Sequence, residues 1–174
     1  MSYSSYSSRS SVRHRRSVLA GILLLVAIIA TIWLGTLWWI RGYEVGRDVG
    51  AIQHRAQVAA NADDMLGYMQ QLKTNLDHYG MTQGHTVLFL GTPENDLALY
   101  YESVNQIISR LEQVKDLPQN ETAYQVALDD LRGTIRELED PSGGFVFVQM
   151  APIFGLVLVI WIVFAVVKPS NWLD

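Results

Sequence analysis

Catalysis in water needs a nucleophile, a base or a set of metal ligands held together, so the histidines and paired acids come first. His54, His78 and His85 lie in the middle of the 174-residue chain, with no His-x-x-x-His pair and no Glu-x-x-His motif to put two ligands on one helix face. Asp63-Asp64 and Asp129-Asp130 are paired carboxylates. Adjacent positions on a helix point about 100° apart, so each pair reads as a solvated face and not as two acids sharing a proton. There is no cysteine, which excludes disulfides, thiolate metal sites and thiol nucleophiles. No Ser/His/Asp set can be picked out by spacing, and no glycine-rich phosphate loop is present. The sequence therefore assigns no catalytic, cofactor-binding or metal-ligating residue, and the expectation is a protein that is not an enzyme.

The elements that dominate the chain are two apolar runs, 18–40 and 145–167, each 23 residues without Asp, Glu, Lys, Arg or His. About 20 such residues at roughly 1.5 Å rise span a ~30 Å hydrocarbon core, so both runs are expected to be transmembrane helices. The layout that follows is a tail (1–17, Ser/Tyr/Arg-rich and expected to be disordered), a first span (18–40), an aqueous domain (41–144), a second span (145–167) and a short tail (168–174). The first run is longer than the ~7–15 apolar residues of a cleaved secretory signal, so it reads as an uncleaved anchor. The N-tail carries four Arg and no acid, whereas 41–144 carries eight Lys/Arg against sixteen Asp/Glu, within a net charge of −4. By the preference of cytoplasmic flanks for Lys and Arg, both termini are expected to be cytoplasmic and the acidic domain periplasmic or extracellular. Trp38 and Trp39 are placed as outer interfacial anchors and Trp172 as an inner one. Ala151 and Gly155, four apart, suggest a close-packing face on the second span. Neither span holds an ionisable group, so no proton or ion relay is readable.

Within the aqueous domain, Val45, Val49, Ile52, Ala56, Ala59, Met65, Met69, Leu72, Leu76 and Tyr79 recur mostly at three- and four-residue steps up to Gly80, which suits a helix end. Gly42, Gly46 and Gly50 suggest a kinked neck. Thr92-Pro93 then opens a second helical stretch with a seam of Leu97, Tyr101, Val104, Ile108 and Leu111. Beyond Pro118 a further series follows in Tyr124, Leu128, Leu131, Ile135 and Leu138, and Pro141 to Gly144 form a hinge. The simplest assembly is an outgoing helix paired with a returning arm, the turn lying some 50 Å from the bilayer. The alternative is a three-helix bundle in which the segment after Pro118 folds back. At the expected distal turn, Val87, Leu88, Phe89 and Leu90 form an apolar patch, read either as a partner-docking loop or as a cap on the bundle's open end.

The expected fold class is thus an all-α membrane protein, two transmembrane helices flanking an outward antiparallel helical hairpin, coiled-coil-like or a small bundle. Two paired helices make a thin core, so a second copy of the chain or other membrane-complex subunits are expected beside the lipid bilayer as partners. The acidic domain disfavours nucleic acid. The functional expectation is an accessory subunit, scaffold or assembly factor acting through protein contacts. The alternative is an extracytoplasmic module that senses a small-molecule ligand and signals through a separate cytoplasmic partner. Helix out and helix back between two spans is similar in layout to the sensor modules of bacterial chemoreceptors, although only Lys168 to Asp174 follow the second span.

Overall fold

The computed structural model describes residues 6–168, with side chains from Ser17 onward. Trp172 and the remainder of 169–174 lie outside the described residues, as do residues 1–5. Among the described residues the chain is all-helical: α1 (Tyr6–Val45), a π-helical turn (Gly46–Gly50), α2 (Ala51–Gln57), α3 (Ala62–Tyr79), a 3-10 turn (Pro93–Asn95), α4 (Leu97–Val114), α5 (Thr122–Glu137) and α6 (Ser142–Val167). Helix α1 starts at Tyr6, inside the stretch expected to be disordered. Residues 6–17 hold neither proline nor glycine. Adding a turn to an existing helix costs far less than nucleating one, so the apolar run extends its helix backwards into this stretch. The chain divides into two compact units, one comprising the residues up to Trp38 with those from Met150 on, the other Trp39–Gln149.

The first unit consists of two long apolar helices, both long and apolar enough to cross a membrane. On α1 the buried positions Ala20, Ala27 and Leu34 recur every seventh residue. Trp161 Nε1 of α6 donates to Thr31 Oγ1 at 3.1 Å, and Trp38 meets Phe154 edge to face with ring centroids 6.2 Å apart. As the contact moves forward from Thr31 to Trp38 on α1 it moves back from Trp161 to Phe154 on α6, so the two helices run antiparallel. Neither residue of the expected packing pair on α6 is buried within the chain. Gly155 is exposed and a methyl added there would meet nothing within 4 Å, while Ala151 is only half-buried. Small residues are buried on α1, Ala20 and Ala27, whereas on α6 a buried position within this unit is the larger Val157, 8% exposed.

The second unit departs from the expected hairpin. The outgoing rod breaks at 58–61, and α3 folds back so that Asn75 donates to the Asp48 carbonyl and the Tyr79 hydroxyl donates to the Asp48 carboxylate at 2.8 Å. Asn61 explains the break, because its Oδ1 accepts from the Asp64 amide at 2.7 Å and Asp63 and Asp64 place negative charge on the first turn of α3. Asn-x-x-Asp was readable in the sequence as a helix start, and the unbroken apolar stripe obscured it. Helix α3 ends as expected at Gly80, whose φ of 72° lets Met81 N reach Leu76 O at 2.8 Å while Met81 itself is fully buried. Thr92 caps only the 3-10 turn, through reciprocal 3.0 Å bonds with Asn95, and α4 is started afresh by Asp96, which accepts from Ala98 N at 2.8 Å.

Helix α4 runs back along α3, its Tyr101 hydroxyl donating to Asp77 at 2.8 Å. After Pro118 the chain does fold back: α5 descends along α4 with an Arg110–Asp130 ion pair, and Tyr124 Oη accepts from the first amide of α3, Ala62 N, at 2.8 Å. The result is an up-down-up-down bundle built from one chain. Its longest helices are 18 residues, about 27 Å, roughly half the height of the expected hairpin arm.

The predicted seam is largely internal to this bundle. Leu97, Val104, Leu111, Tyr124, Leu128, Leu131 and Ile135 are buried, but Tyr101, Ile108 and Leu138 are only half-buried. The face of α4 that is buried instead runs through Tyr100, Ile107 and Val114. A seam reading supposes one neighbour, whereas α4 packs between α3 and α5, which broadens its buried stripe and shifts its centre by one residue.

Candidate functional site

The polar groups that could carry chemistry are dispersed and mutually satisfied. His78 meets Tyr79 edge-on at 5.1 Å, His85 packs over Gly91, and His54 is exposed, so the three histidines share no site. Asp129 pairs with Arg132 at 2.7 Å while its neighbour Asp130 turns to Arg110, and Asp64 is held by Asn61 at 2.9 Å. Among the described residues no group of three or more His, Asp or Glu is arranged to hold a metal.

A buried node sits where α2, α4 and α5 meet. Gln53, 8% exposed, donates through Nε2 to Leu138 O at 2.7 Å and to Ile135 O at 3.2 Å, and its Oε1 accepts from the Tyr100 hydroxyl at 2.9 Å. Helix ends leave carbonyls without intrahelical donors, and Gln53 supplies those donors to the end of α5 from another helix. Burial pushes the Tyr100 phenol up, with Asp140 adding to it, so Tyr100 remains the donor in this chain of bonds. Sequence reasoning passed over Gln53, because one polar residue beside an apolar stripe carries no local signal. Next to the node lies a cavity of about 40 Å³ lined by Thr86, Asn95, Leu97, Tyr100 and Pro141 among others. That is room for one or two waters and not for a metabolite.

At the neck, the Arg47 side chain bonds Asp48 at 2.7 Å and holds its carboxyl below the usual carboxylate range; burial opposes this and the Tyr79 hydroxyl assists it. A depressed folded-state pKa contributes stability above pH about 4 that is lost as pH falls through the folded value. Asp48→Asn should therefore reduce stability at neutral pH and leave a bundle whose acid unfolding is less steep. Urea titrations at pH 7 and pH 3 read this directly; an unchanged difference between variant and parent at the two pH values would reject it.

The sequence-selected loop takes a different place from the one expected. Its base is closed by backbone bonds, Thr86 N to Asn95 O and Leu97 N to Gly84 O, each 2.9 Å, with the His85 ring stacked on Gly91. Such a compact loop with joined ends holds its tip clear of the core. Val87 is 36% exposed, Leu88 44%, Phe89 83% and Leu90 89%, which removes the reading of these residues as a cap on the bundle. Within the bundle the loop lies at the same end as Asp48 and Gly144, not at the end of the 58–61 turn. It joins the end of α3 that touches Asp48, and a Cβ at Gly144 would lie 2.7 Å from both Thr86 Cβ and Thr86 O. The reversal at 58–61 moved it, since each added helix turns the chain end for end. Leu90 has φ of 58°, a left-handed conformation costing a non-glycine residue of order 1 kcal/mol.

Trp38 and Trp39, the expected outer anchors, are 49% and 79% exposed. Comparison with protein-family models, with characterised proteins and with solved structures returns no match, so function is argued from these residues alone.

Proposed function

We propose that the chain is a two-pass integral membrane protein that performs no catalysis itself and serves as an accessory subunit, scaffold or assembly factor of a membrane complex. One observation carries the membrane reading. Of the most apolar windows of the two long helices, only 17% and 11% is buried within the chain. A core helix of a water-soluble protein buries most of such a surface, and contiguous apolar area on this scale is not left to water. Lipid, together with any partner helices, supplies the cover, and a helix satisfies its own backbone bonds there. The four N-tail Arg against the acidic middle favour cytoplasmic termini and a periplasmic or extracellular bundle.

The cavity beside the Gln53 node, about 40 Å³, is too small to be the ligand site that the sensing alternative needs. Self-association through the seam loses most of its motive, since seven of its ten residues are buried inside one chain. Contacts to partners then fall to the outer surfaces of the bundle and of the apolar helices. The expected result is that the protein stays in carbonate-washed membranes and purifies in mild detergent with stoichiometric other chains, read by mass spectrometry and native mass. Release by carbonate would reject the membrane reading, and a clean homo-oligomer would reject the subunit role.

A further inference from the structure

Resting on the two-pass reading, we infer that the loop tip Val87, Leu88, Phe89 and Leu90 is a third membrane contact, inserted into the interfacial layer of the bilayer that α1 and α6 cross. Position is the first argument. Thr86, at the base of the loop, sits against Gly144, and Gly144 immediately precedes Phe145, the first residue of the second apolar run. The loop base is therefore level with the point where the chain passes from polar to apolar sequence.

Composition and exposure agree with that placement. From Thr86 to Thr92 there is no charged residue, and the two outermost tip residues are 83% and 89% exposed. Leu90 holds a left-handed conformation, φ 58°, at the position where Phe89 and Leu90 stand exposed, a backbone cost that an unused solvent loop would not need. Large apolar side chains partition into the headgroup and acyl boundary when presented at that depth. A protein partner is the weaker occupant, because four residues offer far less than the roughly 800 Å² per side of a stable interface. The carboxylates near the base, Glu94, Asp96, Glu139 and Asp140, line the adjoining cavity and predict indifference to anionic headgroups, so a zwitterionic bilayer is the right probe.

Because the chain has no cysteine, single-cysteine variants report one place each. The full-length protein is reconstituted into phosphatidylcholine vesicles with an environment-sensitive fluorophore at Phe89→Cys, at Gln119→Cys in the opposite turn between α4 and α5, or at Ile29→Cys within α1. Each is challenged with a lipid-borne nitroxide and with aqueous iodide. The expected result is that position 89 is quenched by the shallow lipid nitroxide and protected several-fold from iodide relative to position 119, with position 29 quenched only from lipid. Should 29 be quenched from lipid while 89 is as open to iodide as 119, the loop anchor is overturned and the membrane reading stands. Loss of lipid quenching at both 29 and 89 overturns both. Position 89 shielded from both quenchers overturns the anchor in favour of a second copy of the chain covering it. The exposed position of Phe89 makes its substitution structurally mild, and the melting behaviour of the labelled protein verifies that.

Discussion

Ile107→Asp is expected to unfold the central bundle, whereas Ile108→Asp leaves it folded. The two residues are neighbours of the same type on α4, yet Ile107 is 2% exposed and fully enclosed while Ile108 is half-buried. A carboxylate at 107 would lose its hydration inside an apolar core, which costs about 4 kcal/mol or more and matches much of the total stability of a small domain. At 108 the same carboxylate turns toward solvent, with an expected cost of about 1 kcal/mol. Hydrogen exchange of α3 to α5 in the detergent-solubilised full chain distinguishes the two, because apolar helices can stay helical after the bundle has melted and would mask the loss in total helicity. Equal protection in both variants would contradict the packing of α4 between α3 and α5.

Gln53→Leu is the second large effect. It keeps the volume and removes the amide, so the carbonyls of Ile135 and Leu138 and the hydroxyl of Tyr100 lose their buried partner together. Each buried polar group left unpaired costs about 1–3 kcal/mol, and a shared partner makes the losses overlap, so about 2–4 kcal/mol is expected in all. Tyr100→Phe removes one bond and should cost less, and the double variant should cost less than the sum of the two singles. The loss should be focused on the end of α5, where exchange of the amides of Glu139, Asp140 and Ser142 would accelerate before the rest of the bundle opens. Asp140, two residues beyond Leu138, accepts from Ser142 N at 3.0 Å and lies against Gly50, so loosening at Leu138 is expected to reach this stretch first. Additive effects of the two single substitutions would show that the three groups do not act as one node.

Some of this was legible from residue types alone. The 145–167 run and the 18–40 run declare themselves through length and lack of charge, because lipid-compatible helices are recognised by composition without any tertiary partner. Gly80 as a helix end, and the buried rows Met65, Met69, Leu72, Leu76 and Leu128, Leu131, Ile135, follow from local periodicity and local capping. Asn61 was locally readable too, but a continuous stripe of apolar residues outweighed a single cap. Gln53 was not readable, since its three partners lie 47 to 85 residues away.

The sequence by itself determined the helical class, the two apolar helices, the acidic middle segment and most of the residues that form a core, all of which depend on composition or on spacing within a few turns. Only the tertiary structure decided how many times the chain reverses. That number set whether α4 meets one neighbour or two, and so whether Ile107 or Ile108 is enclosed. It also set which end of the bundle carries Val87 to Leu90. Periodicity reports that a face will be buried but carries no information on what buries it, and each reversal exchanges the two ends of everything that follows.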